Sequence, residues 1–552
     1  MCATIDRTPP HRRAVLALAL TVAMMLAAPT RARADATCST PVVQTTVGAV
    51  CGTSAPGGVP GEPSRPIHAY LGIPFAEPPT GHLRWTGPVP TKPWTGTRET
   101  ETFGPSCPQH VPPGVEIDAS EDCLSLNVWT PDPKGTLPVL VFVYGGSFVH
   151  GGTAAPVYGG ANLAAVGPAV VVTLNYRIGA LGFLAGLGPF TGNYGLLDQQ
   201  LALQWVHENI AAFGGDPKKV TLFGESAGAM SVGIHLGAAT SRGLFRAAIL
   251  ESNPYGIPYK TARQAGAYAN DLVGHLDCAP PKNPPTCLRE KSAAEIVAAQ
   301  GKLPVTESFL LGLASFVPWG PVVGGPLLES QPNEISIDKP ILIGTNKNEG
   351  TLFVAMQERS IGTIDEMKYV LETDIAFGEH GSAVRKLYAS IGTGEPAATL
   401  SEIVTDDLFV CANRFVLKDA TAPKWAYQFT HVPSFPIWPA VPACAPATGQ
   451  VCHASELPVV FGNPFGAELW AKQASFTGDE RKLAATMMRL WTGFAANLRP
   501  PETVPPWTGY SVEDPLRLIL DEPLSESRDL TARCRFWDWL GYDRSGPLAG
   551  LL

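Results

Sequence analysis

The chain has 552 residues, 45% of them hydrophobic and 16% charged, with a formal net charge of −9 at pH 7. That length and hydrophobic share suffice for a large buried core. The acidic balance excludes the basic surface on which nucleic-acid-binding proteins depend.

Residues 1–36 read as a targeting leader. Arg7, Arg12 and Arg13 open it, and Ala14 to Ala28 forms an apolar run too short to span comfortably as a transmembrane helix. Ala34-Asp35-Ala36 supplies an A-x-A cleavage site, with Ala32-Arg33-Ala34 as the alternative. An uncleaved anchor is the rival reading. No later stretch is apolar and long enough to cross a bilayer, so the mature chain, 37–552, is expected in the periplasm or outside the cell as one domain. Nothing in the sequence sets its oligomeric state.

Eleven cysteines fit that destination. Cys2 leaves with the leader. Nearness in sequence suggests local loops at Cys38–Cys51, Cys107–Cys123, Cys278–Cys287 and Cys444–Cys452, which leaves Cys411 with Cys534. Spacing alone does not prove these pairings. No Cys-x-x-Cys or paired Cys/His spacing supports zinc, so no metal site is expected.

In chain order, Val42–Val50 reads as a hairpin pinned by Cys38 and Cys51. Tyr70–Pro79 reads as a Pro-rich surface stretch. Leu124, Leu126 and Val128 alternate as in a strand with one buried face. Leu137–Tyr144 is continuously apolar, as for a central strand buried on both faces, and ends in Gly145-Gly146-Ser147-Phe148. Ala169–Leu174 repeats that pattern, and Leu196–Phe213 reads as a helix. A strand over Lys218–Phe223 and a helix over Met230–Leu236 follow. Strands are then expected at Phe245–Leu250 and Pro340–Thr345, separated by a long insertion, and Lys424–Phe429 reads as the last major strand. The alternation predicts an α/β fold with a mostly parallel sheet.

Between the 218–223 strand and the 230–236 helix lies Gly224-Glu225-Ser226-Ala227-Gly228, a G-x-S-x-G elbow. Only a tight turn joins such elements, and it would thrust the Ser226 hydroxyl out of the sheet edge. A serine needs a base, and the base needs a carboxylate to orient it. In this motif's folds both follow the serine in the chain. Glu349, just past the 340–345 strand, is the best acid. His453, after the last expected strand, is the best base, and a Cys444–Cys452 bridge could fix its loop. His235, His275, His380 and His431 compete, His431 most seriously. Backbone N–H groups after Gly145-Gly146, with that of Ala227 at the helix start, are suited to hold an oxyanion. Phe148, Phe316, Trp319 and Phe353 are candidates for a pocket wall.

Several of these stretches resemble type B carboxylesterases of the cholinesterase-like group. They are Leu71-Gly72-Ile73-Pro74-Phe75-Ala76-Glu77-Pro78-Pro79, Glu121-Asp122-Cys123-Leu124-Ser125-Leu126-Asn127, Tyr144-Gly145-Gly146, Asn175-Tyr176-Arg177, Asn193–Gln199, Phe223–Ala229, Asn346–Gly350, His453 with Glu456-Leu457, and Trp491–Ala495. The resemblance covers nearly all of residues 40–540. It implies an α/β-hydrolase fold with helices on both faces of the sheet, and a Ser226–Glu349–His453 triad. It implies oxyanion donors at Gly146, Ser147 and Ala227, with Gly145 beside them. Ser252 matches a serine that supports the triad acid, and Glu225 would tune the imidazolium. It also supports the Cys107–Cys123, Cys278–Cys287 and Cys411–Cys534 bridges.

The departures bear on substrate. Ser147 stands where a third glycine is usual, Ser125 where tyrosine is common, and Glu251-Ser252-Asn253 where Gln-Ser-Gly is usual. The Cys107–Cys123 loop lacks the tryptophan on which cholinesterases bind a quaternary ammonium. The resemblance therefore implies hydrolysis of short or medium acyl, or aryl, esters by water, without metal or organic cofactor. A non-catalytic binding protein, or lactone, amide or carbamate cleavage by the same residues, are the alternatives.

Overall fold

The computed structural model describes residues 39–112, 114–302, 317–389, 394–528 and 531–542. Thirteen of their strands form one sheet, and Ala185–Leu187 and Phe190–Thr191 form a separate two-stranded one. We number the thirteen β1 (Val43–Gln44), β2 (Ala49–Gly57), β3 (Arg65–Pro74), β4 (Thr97–Thr100), β5 (Ser125–Thr130), β6 (Leu137–Val143), β7 (Val170–Leu174), β8 (Gly215–Glu225), β9 (Ala247–Glu251), β10 (Ile341–Asn346), β11 (Lys424–Phe429), β12 (Arg517–Leu520) and β13 (Ser525–Ser527). The order is β1-β2-β3-β5-β7-β6-β8-β9-β10-β11-β12-β13, with β4 pairing β2. Every pair from β7 to β12 is parallel, and antiparallel strands flank them on both sides. The sheet is thus α/β and mostly parallel, as expected.

Parallel strands need crossover helices, which cover both sheet faces and leave little surface for polar side chains. That is why Leu137–Val143 and Val170–Leu174 are unbroken apolar runs. From Val139 to Val143 the β6 side chains are wholly buried. Phe142 of β6 meets Phe223 of β8 with ring centroids 4.8 Å apart, and Phe461 at 4.9 Å. The chain runs from β6 to β7 on one side, then crosses to β8 on the other. This reversal opens a crevice at the carboxyl ends of β6 and β8, where such sheets place their ligands.

Three expectations need correction. Tyr70–Pro79 is not a surface stretch: its first half completes β3, and Tyr70, Ile73 and Phe75 are buried. The prolines suggested a loop, but Pro74 sits at the strand's end, where no ladder hydrogen bond is lost. β5 is buried along its whole length rather than on one face, because it lies between β3 and β7. Lys424–Phe429 is not the last strand, since β12 and β13 continue the sheet.

Four disulfides join Cys107–Cys123, Cys278–Cys287, Cys411–Cys534 and Cys444–Cys452. The Cys38–Cys51 pairing and the leader fall outside the described residues. Among those described, no helix is long and apolar enough to cross a membrane.

Candidate active site

Ser226 sits between β8 and helix Ala227–Gly237 with φ 56° and ψ −122°. A non-glycine residue at positive φ is strained, and the surrounding packing must hold it there. The flanking glycines permit that packing. A Cβ on Gly228 would lie 1.9 Å from the Val143 carbonyl oxygen, and one on Gly224 would lie 2.7 Å from the same atom. The elbow is thus pressed against the end of β6, and the two glycines are fixed by contact as well as by turn geometry. Gly145 approaches from β6: its Cβ would meet Ser226 Cβ at 2.9 Å.

β10 leads to the candidate acid. Glu349 opens helix Glu349–Ile361 and is fully buried. Its Oε1 accepts from Ser252 Oγ at 2.6 Å and from the Asn346 main-chain N–H at 2.6 Å. Its Oε2 lies 2.5 Å from His453 Nδ1. The loops that carry the two residues are laced together. Asn348 N–H donates to Val451 O at 2.9 Å, Val451 N–H donates to Asn348 Oδ1 at 3.1 Å, and Trp438 Nε1–H holds the His453 carbonyl at 2.7 Å. The Cys444–Cys452 bridge closes the histidine's loop.

The other imidazole nitrogen faces Glu225. His453 Nε2 lies 3.1 Å from Glu225 Oε1, in an off-line contact that makes no hydrogen bond. No hydrogen bond joins Ser226 Oγ to His453 among the described residues. Burial alone would lower the imidazole's affinity for a proton, but the charges of Glu225 and Glu349 override it and raise its pKa to about 9. Burial likewise pushes Glu225 up to about 8, against the opposing pull of His453.

Ser226, Ser147 and Ala227 line a cavity of about 20 Å³, closed by Met230, Pro254, Ile257, Val317, Phe353, Leu408 and Phe409. Phe353 and Phe409 also pack on the His453 ring, at 5.1 and 5.3 Å, so the histidine adjoins the same cavity. Gly146, Ser147 and Phe148 all have positive φ, at 109°, 52° and 59°. Ser147 therefore holds a left-handed turn that a glycine would adopt without strain. A larger cavity, about 580 Å³, abuts helix Glu349–Ile361 and is lined by Lys347, Glu358, Gln428 and Arg517 among others. Ser226, Glu349, His453 and Glu225 are not among its lining residues.

Of the proposed wall aromatics, Phe353 lines the small cavity. Phe148 packs on Phe183 at 5.0 Å and Trp319 on Tyr268 at 6.2 Å; Phe316 lies outside the described residues. His431 does not join the cluster: its Nδ1 pairs with Asp521 Oδ1 at 2.7 Å. His235 is buried against Ser241 and Gln199.

Sequence reasoning missed the roles of Asn346 and Glu456. Asn346 Nδ2–H donates to Glu456 Oε2 at 2.6 Å, and Ser252 Oγ lies 3.2 Å from Glu456 Oε1. Burial, then the nearby Glu349, raises the Glu456 pKa to about 7. The signal was its place three residues after His453. No group of three or more His, Cys, Asp or Glu among the described residues is placed to hold a metal ion.

The profile of the Carboxylesterase family matches residues 39–537. The cAMP-regulated D2 protein of Dictyostelium discoideum is 36% identical over 78% of this chain and 81% of its own length. Acetylcholinesterase of Bungarus fasciatus is 34% identical over 86% and 82%. Fumonisin B1 esterase of Sphingopyxis macrogoltabida is 34% identical over 78% and 79%.

Proposed function

Because the chain belongs to the carboxylesterase family and is a carboxylic ester hydrolase, we propose that it works through an acyl-enzyme formed on Ser226. His453 serves as general base and Glu349 as its orienting acid. The observation that carries this reading is the 2.5 Å contact of Glu349 Oε2 with His453 Nδ1. It fixes the ring through Nδ1 and leaves Nε2 for proton transfer.

The ester enters at the carboxyl ends of β6 and β8. His453 Nε2 takes the Ser226 proton as Oγ attacks the carbonyl carbon. The tetrahedral oxyanion rests on the N–H groups of Gly146, Ser147 and Ala227, the last at a helix N-terminus where the dipole favours negative charge. The imidazolium formed is stabilised by Glu349, and by Glu225 where that group is ionised. It then protonates the departing alcohol. Water repeats the sequence to release the acid, and no step calls for a metal or organic cofactor.

The narrow cavity behind Ser226, shut by Ile257, Phe353, Leu408 and Phe409, favours short acyl groups. The four disulfides and the apolar leader support export to the periplasm or beyond. The test is hydrolysis of 4-nitrophenyl acetate, butyrate and octanoate by the full chain. Wild type should prefer the shorter esters, and Ser226→Ala should lose turnover by roughly 10⁵- to 10⁶-fold. A folded Ser226→Ala protein with near-normal rates would defeat the proposal.

A further inference from the structure

Glu251 ends β9, one residue before Ser252, and its side chain is completely buried. One carboxyl oxygen accepts from Trp491 Nε1–H at 2.5 Å; the other, Oε2, has no hydrogen-bond partner. Among the described residues no cation offsets it. The acidic groups that act on it are Glu456, from the loop before helix Leu457–Phe461, and Glu225, its register partner across the β8–β9 ladder. Tyr158 and Tyr427 also feel its charge, and both phenols are buried. Glu349 and His453 belong to the same cluster, acting on Glu225 and Glu456. A carboxylate in such a place pays the full desolvation cost and is repelled by its neighbours, so the group stands as the neutral acid.

Its main chain touches both halves of the site. The Glu251 carbonyl accepts the Ser226 N–H at 3.0 Å, and the next residue, Ser252, holds Glu349 through its hydroxyl. We infer that Glu251 is a positioning residue for this esterase site, holding the elbow and the Ser252–Glu349 contact in register only while its carboxyl is protonated. Ionisation would drive the side chain away from Glu225 and Glu456, and the strand end that holds Ser226 and Ser252 would move with it. A glutamine here would fill the same space and could not ionise. This chain therefore carries a pH-dependent element that the glutamine lacks.

The inference rests on the Ser226 reading, and the experiment separates the two. kcat/KM for 4-nitrophenyl acetate is measured from pH 6 to 10 for wild type, Glu251→Gln and Glu251→Met. Glu251→Gln should stay within about 3-fold of wild type at pH 7 and keep its activity at least one pH unit further into the alkaline range. Glu251→Met, equally unable to ionise, should do the same. Alkaline limbs that superimpose on wild type would overturn the inference, as would failure of both variants to fold, since a neutral acid should yield to a neutral amide. An inactive wild type, or an active Ser226→Ala, would instead count against the triad reading.

Discussion

Glu349 and His453 stand 104 residues apart in the chain, yet Oε2 of one lies 2.5 Å from Nδ1 of the other. Two adjacent parallel strands, β10 and β11, make this possible by ending side by side in register. Their following loops are tied by the Asn348–Val451 hydrogen bonds. The pair is therefore held by the sheet and its loops, and its own hydrogen bond sets only the final orientation. Replacing Glu349 with Gln should leave the fold intact and lower kcat by about 10⁴-fold, measured on 4-nitrophenyl acetate beside a circular dichroism melt. A loss below 10-fold would remove Glu349 from the mechanism.

The two histidines that competed in the sequence should separate cleanly. His453→Ala should lose nearly all turnover. His431→Ala breaks a half-buried pair with Asp521 just past the carboxyl end of β11, so it should lower stability by about 1 kcal/mol with activity largely kept. The reverse pattern would place the base at His431.

Glu225 lies 3.1 Å from Nε2 of His453, the proposed base. Its carboxylate helps raise the His453 pKa to about 9, and only neutral imidazole accepts the serine proton. Glu225→Gln should therefore shift the acid limb of the pH–kcat/KM profile downward by about one unit. An unmoved limb would mean that Glu225 does not act on the base.

The same groups tie folding to pH. Glu225 rises from 4.5 to about 8 on folding, and His453 from 6.5 to about 9. Both bind protons more tightly in the native state, so stability is greater at low pH. It falls as pH climbs through the unfolded values toward the folded ones. The urea midpoint should decline between about pH 6 and 9, and Glu225→Gln should decline less. A midpoint that rises over this range would contradict the shifts.

The disulfides should differ in weight. Cys411–Cys534 spans 123 residues and Cys278–Cys287 only 9. Loop-closure entropy assigns about 5 kcal/mol to the first and about 3 kcal/mol to the second. Paired Cys→Ser variants, compared by denaturant midpoint, should show the larger loss at 411 and 534. Equal losses would argue that the effect lies in the native state.

The elbow glycines offer a structural control. Gly228→Ala would drive a methyl to 1.9 Å from the Val143 carbonyl, a backbone atom that cannot turn aside. It should destabilise by about 3 kcal/mol and remove activity. A stable, active alanine variant would show that the elbow relaxes freely.

Much of the molecule is written in short segments. The runs that became β6 and β7 declared themselves because a strand covered on both faces is apolar nearly throughout. The G-x-S-x-G elbow declared itself because a tight strand-to-helix turn admits glycine at two fixed positions. Such constraints act between neighbours in the chain, so one sequence suffices to read them. The structure alone decided what depends on sheet order and burial. It made β3 of a Pro-rich stretch, because β2 and β5 lie on either side of it, and it set His431 against Asp521 rather than beside Glu349. It placed Glu225 at the second imidazole nitrogen, and it left Glu251 with one oxygen on Trp491 and, among the described residues, no cation. A glutamate's charge is set by what surrounds it in space, and for Glu251 residues 26 to 240 positions away supply those surroundings.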